Sequence, residues 1–153
     1  MRFARASLVA ATPLVAYAAA AAAVSGRQVE LLPTRGAIRP DPLASLVEGV
    51  GLALAIAVYV ALGRHVALRS GSEGDAIRAG ALSGTLVGAL GGALSALAVR
   101  EYVAARLRDY AVPLDELLMA ALIAYALGLA AGGSIVGAAA AWAGWRRWRP
   151  RPS

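Results

Sequence analysis

Few of the 153 residues carry groups that could do chemistry, and their spacing limits what that chemistry could be. The one histidine, His65, has no second histidine with which to form a paired-ligand metal motif, so a solvated or lipid-headgroup contact is its expected role. With no cysteine, the chain has no disulfide, thiolate ligand or thiol nucleophile. Ser83, Thr85 and Ser95 sit in an uncharged stretch, where hydroxyls bond to helix backbone or across helices. No GxSxG nucleophile turn, phosphate loop or zinc-protease helix occurs. Glu48 is the carboxylate placed deepest in an apolar segment and the candidate for moving a proton, with Arg35 and Arg39 as outer-face partners; its simpler role is that of an interfacial carboxylate near a helix start. Tyr17, Tyr59 and Tyr125 could meet at mid-membrane as a polar spot, although packing of an amphipathic side chain accounts for each alone. The expectation is no catalytic, cofactor-binding or metal-ligating residue and no enzymatic activity, with Glu48 as the sole functional carboxylate to test.

The elements that would position these residues are apolar. Hydrophobic residues make up 59% of the chain and mean hydropathy is +0.65, above the 45–50% apolar content usual for soluble domains. The pattern predicts an all-α polytopic membrane protein, a single membrane domain over residues 1–153 with four transmembrane helices at about residues 8–24, 43–62, 79–99 and 117–143. Arg2 and Arg5 before the first run resemble a signal-peptide layout, with Ala21 and Ala23 at plausible cleavage positions. The length of the run favours an uncleaved span, and Pro13 should kink it. Residues 25–42, punctuated by Pro33, Gly36, Pro40 and Pro42, read as an extended loop, and Asp41 before Pro42 suits a helix start. Residues 63–78 read as a short charged connection in which Ser72 and Asp75 have capping-box spacing. Residues 100–111 extend the third helix amphipathically, with Val103, Leu107 and Tyr110 continuing the face of Val99. A helix from Ala79 to Tyr110 would be about 48 Å long against a hydrocarbon core of about 30 Å, so the excess must project or turn onto the surface. Pro113 breaks that pattern, and Asp115 and Glu116 suit the start of the fourth helix.

Size, more than polarity, distinguishes one face of these helices from another. In AGALSGTLVGALGGALSALAV, Gly80, Gly84, Gly88 and Gly92 recur every four residues, and with Gly91 and Ser95 they fill one sector of the helix. Leu82, Leu86, Leu90 and Leu94 fill the opposite sector. Each of those glycines would cost about 0.5–1 kcal/mol relative to alanine in a soluble helix, and close backbone approach inside a bilayer supplies a reason for them. The second helix carries a fainter stripe, Gly49, Ala53, Ala57 and Ala61. The fourth carries Ala126, Ala130, Gly133, Gly137, Ala140 and Gly144 at a period near 3.5, which suits left-handed packing, whereas the third helix's period of four suits a right-handed crossing. The differing periods suggest different neighbours for the two stripes, while packing of the third helix's glycine face on the second or fourth helix of the same chain is its simplest use. PLASLVEGVGLAL from Pro42 and PLDELLMAALIAY from Pro113 match weakly as a parallel repeat, a match that so skewed a composition readily produces.

Charge sets the expected orientation. All basic residues are arginine and net charge is +6, but the arginines lie at the ends of apolar segments, which argues for membrane anchoring and against nucleic acid. Nine arginines fall on the N-terminus, second connection and C-terminus against six on the other two connections, so the positive-inside rule places both termini in the cytoplasm, for a protein of the cytoplasmic (inner) membrane. In the tail, residues 145–153, Trp145, Trp148, Arg146, Arg147 and Arg149 with the preceding Trp142 form an interfacial belt and basic surface suited to anionic lipid headgroups. The function expected is that of an accessory, assembly or scaffold subunit of a larger membrane complex, with a partner membrane protein. The alternative is a homo-oligomeric channel or small transporter, including a holin-like pore, associating through the glycine face of the third helix.

Overall fold

The structure is a computed structural model that describes residues 3–30, 42–69, 71–109 and 114–149. These residues form four helices, α1 (Ala4–Glu30), α2 (Pro42–Leu68), α3 (Glu73–Asp109) and α4 (Leu114–Trp148), packed as an all-α bundle. All four are long and apolar enough to cross a membrane, and by length and composition the chain is a multi-pass membrane protein.

Every helix outruns its apolar run, because helical hydrogen bonding continues wherever the backbone permits while hydropathy marks only the part in hydrocarbon. Residues 25–30, expected in a loop, belong to α1, which also passes through Pro13. The rest of that expected loop, with Asp41, Arg35 and Arg39, lies outside the described residues. The charged connection expected over residues 63–78 is mostly helix, since α2 runs to Leu68 and α3 starts at Glu73. The α3 start is capped as its spacing predicts. Asp75 N–H donates to Ser72 Oγ at 3.1 Å and Ser72 N–H to Asp75 Oδ2 at 3.0 Å, satisfying orphan donors at both positions. Residues 100–109 continue α3 without a break, making it about 55 Å long at 1.5 Å per residue.

The chain runs up, down, up, down, but the helices are not arranged in chain order. The N-terminal part of α1 (Arg5, Ala6, Val9, Ala10) lies beside the C-terminal part of α2 (Val58, Ala61, Leu62, His65), so these two are antiparallel. Alongside α3, in contrast, Phe3 and Ser7 neighbour Asp75 and Ala79, and Ala18 meets Gly91, so α1 and α3 run the same way. The largest interface joins α3 to α4, and α4 also packs on α2; among the described residues α1 and α4 do not meet. The α3–α4 hairpin therefore lies against the α1–α2 hairpin with each helix beside its counterpart. The buried cluster of Leu62, Val66, Ala76 and Ala79 sits at the end where the α2–α3 turn, the start of α1 and the tryptophans of α4 converge, with Phe3, Ala6, Ala10 and Trp145 against it. The outer surface is apolar. Leu46, Leu52, Met119, Ile123, Leu127 and Ile135 are exposed, and only 6% of the most apolar window of α4 is buried. In water that surface would be costly at about 25 cal/mol per Å²; in hydrocarbon it is not.

Candidate functional site

Two features stand out, a backbone-to-backbone seam between α3 and α4 and an arginine–tryptophan cluster at one end of the bundle. Along the seam Gly80 faces Gly137, Gly84 faces Gly133, Gly88 faces Leu129 and Ala130, and Gly92 faces Ala126. The fit is reciprocal. A methyl group on Gly84 would overlap the Gly133 carbonyl, and one on Gly133 would overlap the Gly84 carbonyl. The small stripes of α3 and α4 thus face one another, correcting the expectation that their different periods send them to different neighbours. Four registered contacts over about 18 Å of helix tolerate the half-residue mismatch in period, because glycine and alanine fill so little space that either phase fits. Gly91, one position round the helix, meets Ala18 of α1 instead, and Ser95 is half-buried. Leu82 and Leu90 point outward, opposite the glycines.

The stripe expected on α2 faces the wrong way. Gly49, Ala53, Ala57 and Ala61 are exposed, and nothing lies within 4 Å of a methyl group placed on Gly49. The inward positions are Gly51, Ala55, Tyr59, Gly63 and Ala67, two residues along and therefore about 200° round the helix. A stripe of small residues alone misses this face because Tyr59, 2% exposed, sits in its middle. Gly63 lies against the backbone of Ala141, and Gly144 against that of Val60; these two are the close approach of α2 to α4. Of them only Gly144 belongs to an expected small-residue stripe, which it turns toward α2 while Ala126, Ala130, Gly133 and Gly137 of that stripe meet α3. Ala141 also meets Gly80, which makes it the junction of three helices.

The polar residues go to separate places. Tyr17 Oη donates to the Val47 carbonyl at 2.6 Å, with its ring against Gly51. Tyr59 lies twelve residues along α2, about 18 Å away, and Tyr125 is half-exposed on α4, so the three tyrosines do not form the expected polar spot. Glu48 and His65 are both exposed. Thr85 Oγ1 donates to the Ala81 carbonyl at 2.8 Å and Ser7 Oγ to that of Phe3 at 3.1 Å, whereas buried Ser83 has a hydroxyl with no hydrogen-bond partner. Among the described residues no group of three histidines or carboxylates could hold a metal ion.

At the bundle's end, α4 is tied to the α2–α3 turn through its indoles. Trp142 Nε1 donates to Glu73 Oε1 at 2.7 Å, and Trp145 Nε1 to the Gly71 carbonyl at 3.0 Å. Guanidinium groups lie over the rings: Arg146 at 5.2 Å from the Trp142 centroid, Arg149 at 5.5 Å from Trp145, and both Arg147 and Arg64 on Trp148, at 5.4 and 5.3 Å. Arg64, supplied by α2, lies 84 positions before Trp148, so spacing along the chain does not place it there. Spacing does show that Arg146 and Arg149 each follow a tryptophan by four residues, one helical turn.

The fold and this pair of features define the class, an all-α bundle of four helices long and apolar enough to cross a membrane. No protein-family model matches the chain, and no curated protein or solved structure matches it either. The functional reading therefore rests on the chain's own residues.

Proposed function

We propose that this chain is a non-catalytic accessory, assembly or scaffold subunit of a larger complex in the cytoplasmic membrane, with both termini cytoplasmic. The observation that supports this reading over a self-assembling channel is the use made of the α3 glycine face. Gly80, Gly84, Gly88 and Gly92 are taken up by α4 of the same chain, so the surface on which protomers of a pore would have to associate is already occupied. In this reading the glycine-zipper contact is the seam of one bundle, and the apolar outer faces of α2 and α4 are left for lipid and a partner membrane protein. The burial of Ala11, Leu14 and Ala22 of α1 in the bundle supports retention of the first span as a structural helix. The basic tail rests on anionic headgroups, at about 1 kcal/mol per arginine near the surface.

Purification in mild detergent tests the proposal. A tagged chain should co-purify with one membrane protein in fixed stoichiometry and, reconstituted alone in liposomes, should conduct no ions or small solutes. A homo-oligomer that conducts when reconstituted alone would replace this reading with the channel.

A further inference from the structure

We infer that the groove between α2 and α4 beside the arginine–tryptophan cluster is a site for one anionic phospholipid, its phosphate diester among Arg64, Arg146 and Arg147 and an acyl chain along Val60 and Ala143. The groove is open, about 520 Å³, and lined by Val60, Trp142, Ala143, Arg146, Arg147 and Trp148. Its volume falls within the range of about 300–1,000 Å³ typical of ligand sites.

Depth and charge choose the occupant. Val60 lies four residues inside Arg64, and Ala143 four residues inside Arg147, so an apolar floor begins about 6 Å below a cationic rim. That is the order of groups along a phospholipid entering from its own leaflet, and an acidic peptide or free anion would leave the apolar floor empty. The rim is preorganised. Trp148 carries a guanidinium from each of two helices, and Arg146 lies over Trp142, whose indole is anchored on Glu73. Cation–π contact leaves the guanidinium N–H edges free to donate to phosphate oxygens, the bidentate geometry in which arginine excels. The carboxylate of Glu73 accepts from Trp142, and among the described residues no carboxylate is ion-paired with Arg64, Arg146 or Arg147. Next to the groove, Gly63 and Gly144 bring the backbones of α2 and α4 into close contact, Gly144 against Val60 of the groove lining. Basic pockets between transmembrane helices near the interface bind anionic headgroups on these same grounds.

The inference rests on the chain spanning a membrane, and the two are tested separately. Insertion is read by resistance to alkaline extraction from liposomes. The site is read by quenching of tryptophan fluorescence with chain-brominated phosphatidylglycerol or phosphatidylcholine in detergent micelles. Brominated phosphatidylglycerol should quench saturably at about one lipid per chain, and the phosphatidylcholine analogue should not; inorganic phosphate should not compete at millimolar concentration. Arg64→Gln should weaken phosphatidylglycerol binding about fivefold, whereas Arg100→Gln, an exposed arginine of α3 outside the arginine–tryptophan cluster, should change it less than twofold. Equal quenching by both lipids, competition by inorganic phosphate, or equal loss in the two variants would each overturn the site while leaving the membrane reading intact. The comparison of lipids on the unaltered chain decides the matter even if a variant fails to fold.

Discussion

At the scale of single residues, polar groups inside the bundle are worth what their partners make of them. Tyr17 crosses from α1 to α2 to reach the Val47 carbonyl at 2.6 Å, over the space that Gly51 leaves for its ring. Interhelical hydrogen bonds in membranes are worth about 0.6–2 kcal/mol, so Tyr17→Phe should lower stability in detergent by about 1 kcal/mol, and Tyr125→Phe, on the exposed face of α4, should leave it unchanged. Thermal melts followed by circular dichroism would separate the two. Ser83 is the opposite case, a buried hydroxyl without a partner. Removing an unsatisfied buried polar group removes its desolvation cost, so Ser83→Ala should raise stability by about 1 kcal/mol. A loss of stability would mean that the hydroxyl is paired in the membrane. These roles were only partly legible in the chain. Small and hydroxyl residues could be placed in spans, but the carbonyl that Tyr17 reaches lies 30 positions away and depends on two helices meeting.

At the scale of helices, what matters is which face a glycine is on. Gly84 lies against the backbone of Gly133, which cannot move aside as a flexible side chain would, while Gly49 has open space around it. Gly84→Ile should therefore force α3 and α4 apart and cost more than about 2 kcal/mol, or prevent folding altogether. Gly49→Ala should be neutral or stabilising by up to about 1 kcal/mol, because alanine is the better helix former and nothing obstructs its methyl group. Melting the two variants side by side checks the assignment of faces; a Gly84 variant as stable as the parent would refute the seam. The four-residue repeat of α3 made its inner face legible in advance. In α2 an all-small stripe competed with one interrupted by Tyr59, and size alone selects the wrong one.

At the scale of the whole molecule, the α3–α4 glycine seam runs about 18 Å along the two helices from Gly80 to Gly92, whereas the best-buried apolar cluster and the arginine–tryptophan network lie together at one end. That end collects the start of α1, the α2–α3 turn and the end of α4, and in sequence these segments together carry nine of the fifteen arginines. A reporter fused after Ser153 should be active in the cytoplasm and inactive in the periplasm; the reverse result would invert the topology.

Helix number, the approximate spans, the cap at Ser72 and the glycine face of α3 are determined by the sequence itself. Each depends on hydropathy, length or spacing within one segment, and such local properties can be read along the chain. The pairing of the faces, the stacking of one hairpin on the other, the inward face of α2 and the delivery of Arg64 to Trp148 were decided only by the tertiary structure. The physical reason lies in the solvent. In water the buried face of a helix is marked by its apolarity, but lipid is as apolar as the bundle interior, so polarity does not distinguish inside from outside. What remains is shape, and the complementarity of two shapes is a property of the pair.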